Sequence, residues 1–346
     1  MKTTFVSTSA VSNALRYSLL RQQAELTKAQ KESTTGFVAD TGLVLGARTA
    51  QSVTLNRDLK RLDGIVDSNG LVSSRLSATQ QGLKQIGTAA QSFLSSLTSS
   101  ASGDASYALT QKSARGTLDT LTSVLNTSLN GEYLFSGTNT DVKPINDFAP
   151  GSPSKTAFDA AFTAHFGFNQ NAAGAQGITA AQMDNFMTTV VEPMFTGTGW
   201  GSWSNATDQG ITSRITLNET TESSVSANHD GIRKVTITAA IVADLLDSNI
   251  GSAARGALVS RAVSTIGVAI SDLGQLEAQT GIIQQRVTNA TDRIKMQVDL
   301  FQRHIIETEG VDPYEAATRV TDLISMIEKS YAITARMQQL SLMNYL

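Results

Sequence analysis

The chain has 346 residues, a formal net charge of −3 and no cysteine. A near-neutral charge offers no basic field for nucleic acid, and the missing thiols exclude disulfide bonds, thiolate metal sites and cysteine catalysis. Residues 1–8 lack the apolar segment of a secretory signal and no long apolar run follows, so we expect no cleaved signal peptide and no membrane span.

Heptad spacing dominates the N-terminal part of the chain. A one-sided apolar stripe predicts a first helix within residues 1–40, and Gly36, Gly42 and Gly46 interrupt the helical pattern after it. From Leu55 onward apolar residues repeat about every 3.5 positions, which predicts a long helix of the coiled-coil type. The predicted seam consists of Leu59, Leu62, Val66, Asn69, Leu76, Leu83, Ala90 and Leu97, with Ser73, Gln80, Gly87 and Leu94 between them.

The middle of the chain differs in kind from its flanks. Helices are predicted for residues 105–130 and 230–247, but residues 133–229 contain four of the five prolines and both tryptophans. The segment RITLNET at 214–220 predicts a strand, and the glycine and asparagine clusters predict surface turns. We therefore expect a separate inserted domain, whose removal would leave the long helices intact.

Heptad spacing returns in the C-terminal part. Gly310 then ends a helix, Asp312 is a predicted N-cap, Pro313 takes the first helical position, and Glu315 is placed to complete a capping box. The predicted seam positions are Ala262, Ile266, Ala269, Leu273, Leu276, Thr280, Ile283, Val287, Ala290, Ile294 and Phe301.

The sequence thus predicts a mainly α protein. We expect a long helical coiled-coil rod formed by the N- and C-terminal parts, with an inserted β-containing domain. The predicted divisions are an N-terminal assembly helix (1–40), the N-terminal half of the rod (41–132), the inserted outer domain (133–229), the C-terminal half of the rod (230–308) and a C-terminal assembly helix (309–346).

Apolar stripes at both ends predict contacts between subunits. The stripes could pair within one molecule, but a two-helix hairpin buries little surface, and MQQLSLMNYL at 337–346 is unusually apolar. We therefore favour packing between subunits. The predicted subunit contacts are Leu15, Leu19, Leu26, Val320, Leu323, Ile327, Tyr331, Leu340, Leu342, Tyr345 and Leu346.

The sequence predicts no enzyme site. His165, His229 and His304 lack metal-ligand spacing, and His229-Asp230 favours a helix start over a base with its orienting carboxylate. The G-x-G within residues 197–201 has no strand-turn-helix context, so phosphate binding is not expected. We expect no catalysis, no cofactor and no metal, although a constellation formed by folding within the insert is left open.

Two blocks of sequence resemble a known family. YLFSGTNTDVKPI at 133–145 and the segment at 309–346, which contains VDPYEAAT, together with the interrupted terminal helices, resemble the flagellin superfamily of axial proteins. Within it the resemblance is closest to the hook-filament junction family, hook-associated protein 3, of alphaproteobacterial type. The final LMNYL differs from the arginine-ended tail typical of flagellins, and ADTGLVLGAR at 39–48 replaces the family's usual acidic pair.

This resemblance implies a structural protein of the bacterial flagellum that joins hook to filament. It implies a ring of copies and an extracellular position at the junction, reached through the flagellar type III export apparatus with residues 1–40 as the export region. The implied partners are other copies of the chain, hook-associated protein 1, flagellin and an export chaperone. A flagellin-type filament subunit is the alternative within the superfamily, and a non-flagellar coiled-coil scaffold is the alternative outside it.

Overall fold

The computed structural model describes residues 8–100 and 107–343, and most of them are helical. In chain order the helices are α1 (Thr8–Thr35), α2 (Thr41–Leu45), α3 (Thr49–Ser100), α4 (Tyr107–Leu125), α5 (Pro153–Phe166), α6 (Ala180–Phe186), α7 (Glu192–Thr196), α8 (Asp230–Leu245), α9 (Ser252–Glu309) and α10 (Pro313–Met343). Short 3₁₀ or π segments lie at Gly46–Arg48, Ala173–Gly177, Met187–Val191 and Thr198–Ser202. The mainly α fold predicted from heptad spacing is confirmed.

The β-structure in the described residues is small. Strand β1 (Ser128–Leu129) pairs with β2 (Glu132–Tyr133), and β3 (Thr212–Arg214) pairs with β4 (Thr220–Glu222), both antiparallel. Asn130 and Gly131 connect the first pair and both have positive φ, as a type I′ hairpin turn requires. The segment predicted as one strand, residues 214–220, spans the end of β3, a tight turn and the start of β4.

The chain divides into two compact units. The terminal unit comprises the described residues up to Gly64 and those from Ile294 onward, and the central unit comprises residues 65–293. Helices α3 and α9 contribute to both units, whereas α1, α2 and α10 belong to the terminal unit.

One hydrophobic cluster joins the insert to the helices of the central unit. Phe158, Phe162, Phe186 and Phe195 are fully buried, and Trp203 is nearly so. They share their cluster with side chains of α3, α4, α8 and α9, including Leu83, Leu121, Ile241 and Leu258. Residues 133–229 therefore have no core of their own, in contrast to the separate domain expected from composition. The change in composition marks turns at the surface, because the aromatic side chains between those turns pack into the common core.

A heptad seam consists of two rows of residues, and on α3 one of these rows lies one residue before its predicted position. Asn69, Leu76, Leu83, Ala90 and Leu97 are buried as predicted. The second buried row is Val72, Thr79, Ile86 and Phe93, whereas the predicted Ser73, Gln80, Gly87 and Leu94 are partly exposed. This second row includes the large apolar side chains of Val72, Ile86 and Phe93. Helix α4 and the insert also pack against α3, since Val124 and Phe135 lie next to Gly82. This additional cover displaces the seam from the position that a two-helix coiled coil would use.

The seam of α9 agrees with the heptad prediction. Nine of its eleven predicted positions are buried, and Ile283 and Phe301 are partly buried. Part of α9 reaches a mean hydropathy of 1.3 over eighteen residues, which by length and composition alone would suffice to cross a membrane. Ala262, Ile266 and Ala269 of this helix are buried in the common core, as expected for a core helix.

The block at residues 133–145 ties the start of the insert to its end. Phe135 is fully buried, and its carbonyl oxygen accepts a hydrogen bond of 2.7 Å from Ala227 N–H. The carbonyl oxygen of Ser136 accepts one of 3.0 Å from Thr207 N–H. Gly137 follows with φ 66°, and a Cβ atom at this position would lie 2.5 Å from the Thr207 carbonyl oxygen. This block therefore has a structural role in closing the insert.

Gly137→Ala is expected to destabilise the protein more than Gly131→Ala. Both glycines have positive φ, 66° and 87°, so each alanine costs about 1–2 kcal/mol in backbone strain. Only the methyl group at 137 meets backbone, whereas nothing lies within 4 Å of a Cβ atom at 131. Thermal unfolding followed by circular dichroism measures the difference, and equal losses of Tm would contradict this account of the block.

A charged cluster connects α5 to α8. Lys155 forms ion pairs with Asp159 and, at 3.1 Å, with Asp244. Gln170 Nε2 donates hydrogen bonds to Asp159 at 2.7 Å and to Asp244 at 3.2 Å. Burial raises the pKa of the Asp244 carboxyl, and the charge of Lys155 offsets part of this effect. Since the folded pKa lies above the unfolded one, Asp244 favours folding below its unfolded pKa, and this contribution is lost as the pH rises through the folded pKa.

Asp244→Asn is expected to raise Tm at neutral pH and to flatten its dependence on pH. The amide avoids the cost of a buried charge, and Lys155 keeps Asp159 as its partner. Asp247→Asn is the matched control, because Asp247 is exposed and pairs with Arg115 at the surface at 3.1 Å. Tm is compared between about pH 4 and pH 8. A lower Tm for Asp244→Asn at neutral pH would mean that attraction to Lys155 outweighs burial.

Candidate assembly surface

The two terminal helices pair antiparallel within the terminal unit. Gln23 Nε2 donates a hydrogen bond of 3.0 Å to the hydroxyl of Tyr331, and Ser330 Oγ donates one of 3.2 Å to Gln22 Oε1. Further along, Arg319 forms an ion pair of 3.1 Å with Glu32. Residues 22–23 thus lie opposite 330–331 and residue 32 lies opposite 319, so α1 and α10 run in opposite directions as a helical hairpin.

The predicted subunit contacts lie mostly along the inner seam of this hairpin. Ala29 and Ala316 are buried there together with the predicted Ile327. Five further predicted residues are partly buried on the two helices: Leu15, Leu19, Leu26, Val320 and Leu323. Pairing within one chain therefore occupies the stripes that we assigned to neighbouring subunits, because each stripe is the nearest apolar cover for the other. As contacts between subunits these residues stay a proposal.

The remaining predicted contacts have different positions. Tyr331 is 52% exposed, so it has free surface besides its bond to Gln23. The backbone at Leu340 and Leu342 belongs to α10, but the side chains of both lie outside the described residues, as do Tyr345 and Leu346.

Helix α10 begins at the residue that the sequence predicts. The helix begins at Pro313, and Asp312 Oδ1 accepts a hydrogen bond of 2.8 Å from Tyr314 N–H. Glu315 accepts a hydrogen bond of 2.9 Å from Arg319, which also pairs with Glu32 of α1, so the side chain of Glu315 turns away from Asp312 and does not form the capping box that the sequence suggested. The first turn of α10 is thus capped by Asp312 and connected to α1 through Arg319.

Exposed apolar side chains are concentrated in the terminal unit. Of the eighteen large hydrophobic side chains that are exposed in the described residues, thirteen lie in this unit, which holds about a third of the chain. Such a density is typical of a surface that is covered by other proteins. Those on α1 and α10 are Tyr17, Leu20, Tyr314, Ile324, Met326, Tyr331 and Ile333.

Several of these exposed residues were missed when the sequence was considered alone. Tyr17, Leu20, Met326 and Ile333 fall outside the heptad stripes, so a search for one apolar face does not select them. The signal available in the sequence was the presence of apolar residues on more than one face of each terminal helix. A helix that is apolar on two faces keeps one apolar face exposed after it has paired with a single partner helix.

The three histidines have different surroundings. His229 precedes α8, and its Nδ1 accepts a hydrogen bond of 3.3 Å from Gly231 N–H, so the predicted helix start is confirmed. Burial lowers the pKa of His229. His165 packs its ring against Phe166, and His304 lies 3.8 Å from Glu307 on the same helix. In residues 8–100 and 107–343, no group of three or more histidine, aspartate or glutamate side chains is placed to hold a metal ion.

Comparison with known proteins matches both ends of the chain. The model of the bacterial flagellin N-terminal helical region matches residues 6–140, and that of the bacterial flagellin C-terminal helical region matches residues 263–346. The solved structure of a flagellar hook-associated protein from Vibrio parahaemolyticus has a TM-score of 0.52 and 11% identity, over 76% of this chain and 97% of that one. At this identity the likeness concerns the fold alone. No curated protein sequence matches the chain.

The two flagellin regions together account for more than half of the residues, and they include all of the described terminal unit. The chain belongs to the flagellin superfamily. It is therefore a structural component of the extracellular bacterial flagellum, whose axial proteins self-assemble.

Proposed function

We propose that this chain joins the flagellar hook to the filament in the manner of hook-associated protein 3. In this role a ring of copies contacts hook-associated protein 1 on one side and flagellin on the other. The observation that carries the proposal is the segment at 309–346, whose VDPYEAAT block resembles the junction family more than it resembles flagellins. The fold of the hook-associated protein from Vibrio parahaemolyticus is consistent with this choice.

A filament subunit is the second candidate. It is favoured by the match of both flagellin regions, which by themselves do not distinguish a junction protein from a flagellin. The two candidates differ in copy number and in position, since a filament subunit repeats along the filament and a junction subunit occupies one short zone. In both cases we propose export through the flagellar type III apparatus with the help of a chaperone.

Deletion of the gene tests the proposal. We expect cells that keep their hooks, lack attached filaments and release flagellin into the medium, because filament growth would have no adapter to start from. Expression of the intact chain from a plasmid should restore filaments, which serves as the control for effects on neighbouring genes. Filaments of normal length in the deletion strain would favour the filament-subunit candidate.

A further inference from the structure

The two interruptions in the helical pattern lie side by side in the terminal unit. An antiparallel bridge joins Phe37 to Gly310. Val38 N–H donates a hydrogen bond of 2.8 Å to the Glu309 carbonyl oxygen, and Val311 N–H donates one of 3.0 Å to the Gly36 carbonyl oxygen. Residues 36–39 follow α1, and residues 309–311 connect α9 to α10. The two segments are hydrogen-bonded to each other, and we call the pair the joint.

Glycine is required on both sides of this joint. Gly36 has φ 75°, a conformation that costs other residues backbone strain. A Cβ atom at Gly310 would lie 2.3 Å from the carbonyl oxygen of Ile306, closer than any real contact. The joint is therefore specified by residue type on both of its chains.

The side chain of Glu309 connects the joint to α3. Its Oε1 accepts hydrogen bonds from Ser52 Oγ and, at 3.3 Å, from Asn56 Nδ2. Glu309 is only 7% exposed and Ser52 only 6%. Among the residues that the structure describes, no lysine or arginine forms an ion pair with Glu309, so its carboxylate is held by two neutral donors.

The side chain of Glu32 connects α1 to the joint and to α10. Its Oε1 accepts a hydrogen bond of 3.1 Å from Ala39 N–H, and its Oε2 pairs with Arg319 of α10 at 3.1 Å. Lys31 Nζ adds a hydrogen bond of 2.9 Å to the Ala39 carbonyl oxygen. All four long helices of the terminal unit, α1, α3, α9 and α10, are therefore tied to the same few residues.

A carboxylate that is mostly covered by protein and has no cationic partner adds little to stability, because its neutral hydrogen bonds replace hydrogen bonds to water. Its presence is better explained by specificity, because Ser52 and Asn56 lie one turn apart on α3 and Glu309 contacts both of them in this register. We propose that Glu309 is a positioning residue: it sets the end of α9 against the start of α3, and so fixes where the α1–α10 hairpin departs from the long helices.

Hydrogen exchange on the full chain tests this positioning role. Glu309→Ala should speed exchange of the Val38, Ala39 and Val311 amides by about ten- to hundredfold, because the joint loses its anchor on α3. Glu309→Gln should restore protection to within about threefold of the natural chain, since an amide oxygen can still accept from Ser52 and Asn56. Thermal unfolding of the central unit should be unchanged in both.

Glu307→Ala is the matched control, because Glu307 lies two residues away, is exposed and has His304 as its neighbour. Its exchange pattern should equal that of the natural chain. Equal acceleration by Glu307→Ala and Glu309→Ala would overturn the proposal. Ser52→Ala removes the same hydrogen bond from the α3 side, so it serves as the test if Glu309→Ala fails to fold. Unchanged protection of the joint amides in Ser52→Ala would also contradict the positioning role.

The consequence for assembly rests on the proposed function. A hairpin that departs at variable angles should dock poorly, so Glu309→Ala should reduce the number of attached filaments, and Glu309→Gln should recover them. Loss of protection together with normal filament attachment would uphold the positioning role and contradict its link to assembly. Loss of filaments with full protection of the joint would contradict the positioning role.

Discussion

Cells that carry the double variant Met326→Asp and Ile333→Asp are expected to lose attached filaments while still exporting the protein. Both residues lie on α10, seven positions apart and so on one face, and each is 51% exposed in the single chain. Burying a side chain of this size contributes about 1.5–3 kcal/mol, and here half of that gain requires a neighbouring subunit. A carboxylate at either position would have to enter the contact without a partner.

The matched control is Met326→Leu with Ile333→Leu, which keeps apolar character at both positions and should preserve attachment. The Tm of the purified aspartate variant should remain close to that of the natural chain, because both side chains already contact water. Filaments are counted by electron microscopy, and the exported protein is measured in the medium. Normal attachment in the aspartate variant would show that this face of α10 is not an assembly surface.

Deletion of residues 150–225 is expected to unfold the central unit. The segment contributes Phe158, Phe162, Phe186, Phe195 and Trp203 to the core shared with α3, α4, α8 and α9. Losing five buried aromatic residues removes far more stabilisation than a domain of this size has in reserve. Circular dichroism and thermal unfolding of the deleted chain measure the effect.

A point variant in α5 makes the same test without removing a segment. Phe162→Ala should lower stability by about 3–5 kcal/mol, whereas Thr163→Ala, at the exposed neighbouring position, should change it little. A deleted chain that retains full helicity and a sharp unfolding transition would mean that the insert is separable after all, as its composition first indicated.

The parts of the fold that follow from a regular repeat could be predicted from the sequence. The α9 seam is buried where its spacing placed it, and the helix at 313 begins where Asp312 and Pro313 indicate. One of the two rows of the α3 seam is shifted by one residue, because α4 and the insert also pack on this helix, as Val124 and Phe135 do at Gly82. A repeat specifies one contact face, and it does not reveal how many other elements share that face.

The sequence indicated that the assembly surface lies on the two terminal helices, but it did not identify most of the residues that are exposed there. The terminal stripes indicated an interaction, but Leu26 and Ile327 lie in a hairpin seam whereas Met326 and Ile333 remain exposed. The role of Glu309 depends on Ser52, which is 257 positions away. Contacts of that separation leave no periodic signal, so a single sequence does not disclose them.

Locating the protein on isolated flagella tests most directly whether the chain is an axial subunit at the junction of hook and filament. Antibodies raised against the chain, detected with gold particles in electron micrographs, mark its position. We expect one short labelled zone per flagellum, between the end of the hook and the start of the filament. Label along the whole filament would contradict the junction role in favour of a filament subunit, and flagella without any label would contradict the flagellar role.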